Sequence, residues 1–63
     1  VKSYSSREVI KILEQNGWYL KRIVGDHYQY TDGHRLITTK HPVKDLGIKN
    51  LKSIEKQTGI KFN

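Results

Sequence analysis

The sequence predicts an α+β fold of order α-β-β-β-α, a three-stranded antiparallel sheet with two helices on one face. Apolar residues recur at helical spacing near both ends of the chain. Between them, Trp18 to Thr39 is rich in β-branched and aromatic residues, broken by the turn pairs Gly25-Asp26 and Asp32-Gly33. The length of 63 residues gives room for a single domain, residues 1–63, with one modest core.

The first helix is expected over residues 5–16. Ser5-Ser6-Arg7-Glu8 has capping-box form, in which Ser5 caps and Glu8 reaches back to its amide. Val9, Ile10, Ile12 and Leu13 follow at helical spacing, with Arg7, Lys11 and Glu14 opposite. Gly17 suits the left-handed position past a helix end. The strands read as residues 18–23, 27–31 and 34–39, a meander with Pro42 in the loop that follows. The second helix is expected over residues 48–58. Ile48, Leu51 and Ile54 form its apolar side and Lys49, Lys52 and Lys56 its basic side. Asn50 is an alternative cap, Gly59 the stop, and Ile60 and Phe62 candidates to fold back as apolar contacts.

Turn length decides where His27 points, because strand side chains alternate faces. A two-residue loop at Gly25-Asp26 pairs Val24 with His27 and leaves neither face cleanly apolar. A three-residue loop, Val24-Gly25-Asp26, pairs Ile23 with His27. It gathers Trp18, Leu20, Tyr28 and Tyr30 on the helix side, with Arg22 as the awkward member. That second register is preferred, and it puts His27 on the open face with Lys21 and Gln29. Tyr4 and Tyr19 are left free to contact a base or a partner.

Composition narrows the function classes. Twelve Lys+Arg against six Asp+Glu give a net charge of +6, the balance of a chain that associates with polyanions such as nucleic acid. The absence of cysteine removes thiol chemistry and Cys-based zinc sites, and fits a reducing compartment. No apolar run approaches the roughly 18 residues of a membrane span, and no signal-peptide pattern opens the chain, so a soluble, cytoplasmic protein is expected. His27, His34 and His41 recur every seven residues, but across strands and a loop this spacing gathers no ligand set. Neither a metal site nor a cofactor is expected. There is no Gly-rich phosphate loop and no Ser/His/Asp set.

Helix one, then "GWYLKR", "GDHYQY", "KHPVKDL" and "LKSIEKQTGI", resemble the HicA (YcfA-like) messenger-RNA interferase toxins of type II toxin–antitoxin systems. The similarity runs from Ser6 to Ile60, and Gly-x-His at Gly25-Asp26-His27 is its most specific part. The resemblance implies a double-stranded-RNA-binding-domain-like fold, an endoribonuclease that cleaves messenger RNA, and a HicB-like antitoxin that neutralises it. It puts the catalytic histidine at His27, a basic position at Arg22 and a further histidine at His41. Asp26 departs from the usual Ser or Gly, and Thr39 stands where proline is frequent. His34 lies at a variable position.

The chemistry suits one histidine. RNA carries its own nucleophile, and an imidazole, ordinarily titrating near pH 6.5, is suited to move the 2′-OH proton without a metal. Lys21 is the cation nearest to His27 on the preferred register. Arg22, Lys40 and His41 complete the candidate RNA contacts. The Lys49/Lys52/Lys56 stripe is either a solvated face or a contact with phosphates. Two other readings stay open: a non-catalytic RNA- or DNA-binding module, and a domain that mainly docks another protein.

Overall fold

The computed structural model of the protein describes residues 3–62, so residues 1, 2 and 63 of the expected domain lie outside the described residues. The elements appear in the expected order: α1 (Ser6–Gln15), β1 (Tyr19–Val24), β2 (His27–Thr31), β3 (Leu36–Lys40) and α2 (Gly47–Thr58). The strands form one antiparallel sheet in the order β1-β2-β3.

Local chemistry explains the helix ends. The capping box forms as the sequence predicts, with Glu8 N–H donating to Ser5 Oγ at 3.2 Å and Ser5 N–H donating to Glu8 Oε1 at 2.9 Å. Gly17 adopts φ 87° just past α1, where a side chain would be strained. Asn50 is no cap. It lies inside α2, and its amide donates to Leu46 O at 2.8 Å.

The far end of α2 is held by Arg35, whose guanidinium donates to Gln57 O at 3.3 Å and Thr58 O at 3.1 Å. A cation is favourable at these carbonyls because of the helix dipole. The same guanidinium sits 5.3 Å from the Trp18 ring centre and 2.9 Å from Asp32 Oδ2. Asp32 also accepts the Arg35 and His34 backbone N–H groups at 2.7 and 2.9 Å. These bonds, with the Arg35 side chain, hold its carboxyl well below the ordinary Asp value of 3.8.

One core lies between the helices and the sheet. Val9 and Leu13 from α1, Leu51 and Ile54 from α2, and Tyr30 and Ile37 from the sheet are buried together with Trp18 and Leu46. Phe62 folds back as expected, and its ring lies 5.5 Å from that of Tyr4. Tyr4 is therefore in the core, not free for a base or a partner. Tyr19 remains exposed. Burial of each large apolar side chain contributes about 1.5–3 kcal/mol. Among the described residues, no helix is long and apolar enough to cross a membrane.

The sheet register corrects the preferred reading of the first hairpin. Val24 pairs with His27, so the loop is Gly25-Asp26 alone. Gly25 has φ 60° and Asp26 does not have positive φ, the pattern of a type II′ turn with Gly first. With strict alternation this loop would scramble the two faces. A bulge prevents this. Ladder pairing jumps from Leu20 to Arg22, leaving Lys21 as an extra residue in β1. The bulge shifts the alternation by one, so Leu20 and Ile23 both share the helix face with Tyr30 and Tyr28. Arg22 moves to the opposite, open face.

Candidate functional site

The open face of the sheet is assembled by cross-strand pairing. Directly opposed residues of an antiparallel ladder point to the same side. Val24, His27 and Lys40 form one row across the sheet, and Arg22, Gln29 and Thr38 form the next. His27 is thus flanked by a lysine directly across on β3 and by an arginine one row away on β1. The Arg22 side chain donates from Nε to Gln29 Oε1 at 3.3 Å, which holds it along this face.

The ladder also sets the spacing. His41 N–H donates to Asp26 O at 3.0 Å, so residues 26 and 41 form a hydrogen-bonded pair. In an antiparallel ladder such pairs alternate with non-bonded ones, whose Cα atoms lie closer, at about 4.5 Å. His27 and Lys40 occupy a non-bonded pair. Their side chains therefore start from the tighter of the two spacings.

The His27 side chain is half exposed at 50%. Its Nδ1 lies 3.7 Å from Asp26 Oδ1, beyond hydrogen-bond distance. The carboxylate at the turn therefore sits beside the ring without clamping it. Among the described residues no carboxylate pairs with Arg22 or Lys40, so both cations are available to an anion.

His41 is placed differently. Its ring packs edge-on against Tyr28 with centroids 4.9 Å apart, and its Nδ1 is 2.6 Å from Ser6 Oγ. Ser6, at 1% exposure, also accepts the Val43 N–H at 2.8 Å. Ser6 Oγ thus bridges the Val43 amide and the His41 ring. Tyr28 belongs to the helix face, so His41 lies on the other side of the sheet from His27. Ser6 was not singled out in the sequence beyond its place beside the cap; its link to His41 spans 35 positions and leaves no local signal.

The structure therefore brings His27 and Lys40 together in one row with Arg22 in the next, and places His41 on the other side of the sheet. Lys21 is the bulge residue and is not paired with His27's row. His34 sits exposed in the β2–β3 turn, tied by its backbone to Asp32. Among the described residues, no group of three or more His, Cys, Asp or Glu side chains is arranged to hold a metal ion.

This arrangement of a half-exposed imidazole between two unpaired cations can engage a phosphodiester from one side of the sheet. Comparison with known proteins supplies the family. The model of the HicA toxin of bacterial toxin–antitoxin systems matches residues 6–60, all five elements included. No curated protein and no solved structure matches the chain significantly. The match covers nearly the whole chain and takes in the hairpin that carries His27, so this protein belongs to the HicA toxin family and is a toxin of a bacterial toxin–antitoxin system.

Proposed function

We propose that this toxin is an endoribonuclease that cleaves messenger RNA with His27 as its general acid–base group and without a metal ion. One observation carries the reading: His27 shares a row of the open sheet face with Lys40, and Arg22 stands in the adjacent row. A phosphodiester lying on this face meets a proton carrier and two positive charges together.

His27 takes the proton from the ribose 2′-OH, and the freed oxygen attacks the adjacent phosphorus. The bond from phosphorus to the 5′-oxygen breaks, and that oxygen receives a proton from the imidazolium or from water. The products are a 2′,3′-cyclic phosphate and a 5′-hydroxyl. Lys40 and Arg22 offset the negative charge that gathers on the non-bridging oxygens. Proton transfer by a positioned imidazole contributes about 10²–10⁴-fold. The family points the same way, since HicA toxins generally act as ribonucleases.

A toxin of such a system has an antitoxin partner. The partner proposed here is HicB-like, and it neutralises by covering the open face around His27. The substrate places the reaction in the cytoplasm, with residues 1–63 acting as one domain.

The test compares purified wild type with His27→Ala on a defined RNA in excess EDTA, mapping the product ends. Cyclic-phosphate ends in the wild type and a loss of about 10²-fold or more in a folded variant are expected. Equal cutting by folded His27→Ala, or RNA that is bound but intact with the wild type, overturns the proposal.

A further inference from the structure

We propose that the groove between the outer edge of β3 and α2 is a base-reading subsite for single-stranded RNA, selecting adenine and cytosine by the amino group they carry where guanine and uracil carry a carbonyl oxygen. The inference rests on the reading of His27 as the catalytic group, and it extends that site to the neighbouring nucleotide.

The groove encloses about 340 Å³, a volume on the scale of one nucleotide. His27 and Lys40 line it, and their pair lies at the C-terminal end of β3. Its apolar part is Ile37, Leu46 and Ile54. Its polar part comes from Thr38 and from Asn50, Ser53 and Gln57. Those last three recur at helical spacing and form a stripe of α2 distinct from Lys49, Lys52 and Lys56. Among the described residues, Thr39 Oγ1 is the buried side-chain atom left without a hydrogen-bond partner, and Thr39 too lines the groove.

This mixture matches a nucleobase better than a phosphate chain. A base presents flat apolar faces and a polar edge, and single-stranded RNA is read by stacking and by hydrogen bonds to such edges. Apart from Lys40 and His27 the lining carries no ionisable side chain. The charged groups thus stand where the phosphate would lie, and the neutral ones where the base would lie.

The orientation of Asn50 sets the preference. Its partner is Leu46 O, at 2.8 Å, and a carbonyl only accepts, so the Asn50 amide nitrogen must face it. Asn50 Oδ1 is left as the free end, an acceptor. It is complementary to the amino group that adenine carries at C6 and cytosine at C4, where guanine and uracil present a carbonyl oxygen, a second acceptor. One net hydrogen bond corresponds to roughly a two- to tenfold difference in affinity.

The experiment titrates wild-type protein with short 2′-O-methyl oligomers of A, C and U, which lack the attacking hydroxyl. Two-dimensional NMR locates the contacts, and the same titrations are run with Asn50→Ala. Amide shifts at Thr38, Asn50, Ser53 and Gln57, with A and C binding about two- to tenfold more tightly than U, are expected. That preference should vanish in Asn50→Ala. Shifts confined to other surfaces, equal affinity for the three oligomers, or a groove perturbed by the antitoxin but not by RNA would overturn the proposal. Cleavage of ordinary RNA without groove shifts removes the subsite and spares His27. Base-selective groove binding with no cleavage supports the subsite and removes the enzymatic reading.

Discussion

Ser6→Ala isolates what the hydroxyl under the His41 loop contributes. In the wild type, Ser6 Oγ is buried, accepts the Val43 N–H at 2.8 Å and lies 2.6 Å from His41 Nδ1. Alanine removes both partners at once and leaves a half-buried amide and a half-buried ring nitrogen unpaired. An unsatisfied buried donor costs about 1–3 kcal/mol, and partial exposure of Val43 and His41 lets water recover some of this. The net loss should be about 2 kcal/mol. A chain of this size has roughly 3–9 kcal/mol in total, so the loss is a large fraction. It corresponds to a drop in Tm of about 8–16 °C. Urea unfolding followed by Trp18 fluorescence measures it, with an unchanged denaturant slope expected. RNA cleavage per folded molecule should change less than about threefold, because His41 faces away from His27. A stability loss under about 0.5 kcal/mol would refute the hydrogen-bond account. A cleavage loss beyond tenfold in a stable variant would refute the separation of the two histidines.

The cations on the open face should differ from the one in the bulge. Arg22→Ala and Lys40→Ala should each lower kcat/KM by about 10–100-fold, the scale of a lost charge-assisted hydrogen bond. Lys21→Ala should act only through the general field, within about threefold, and equal effects at all three positions would dissolve the cluster. Asp32 gives a pH signature. Its folded pKa is depressed, so its stabilising contribution is present above the ordinary value of 3.8 and fades as pH falls below it. The stability gap between wild type and Asp32→Asn should be open at pH 6 and narrow toward pH 2.5; a gap independent of pH would refute the carboxylate's role in the turn.

The elements were legible because their signals are local. Ser5 and Glu8 are three positions apart, Gly17 and Gly59 lie within two residues of their helix ends, and the β-branched and aromatic runs sit between turn pairs. The nearest neighbours of His27 were not, because they depend on register. A bulge residue such as Lys21 is ordinary in composition, and only pairing with β2 reveals that it is extra. Arg22 was consequently read onto the wrong face, while Lys40 could be named but not placed. Long-range ties were equally silent: Arg35 reaches α2 across 22 positions, and Ser6 reaches His41 across 35. The stripe of Asn50, Ser53 and Gln57 gained meaning only with the edge of β3 beside it, and the sequence had offered Asn50 as a helix cap.

The bulge also explains how a tight turn and a clean core coexist, and this makes a deletion informative. A Gly-first II′ turn fixes Val24 opposite His27, which with strict alternation would send Leu20 and Trp18 to the open face. Skipping Lys21 restores them to the helix side. Deleting Lys21 should therefore leave a regular ladder in which Leu20 and Arg22, now adjacent, already point to opposite faces. The shortened chain should unfold cooperatively and keep His27 beside Lys40. Deleting Val24 is different, because β1 must then slip by one residue against the turn, which sends the half-exposed Ile23 to the open face and Arg22 to the helix side. That chain should unfold at a lower urea concentration and lose Arg22 from the face of His27. Circular dichroism and urea titration of the two deletions decide the matter. Collapse of the Lys21 deletion alongside an unchanged midpoint for the Val24 deletion would show that the apolar face is set by something other than this bulge.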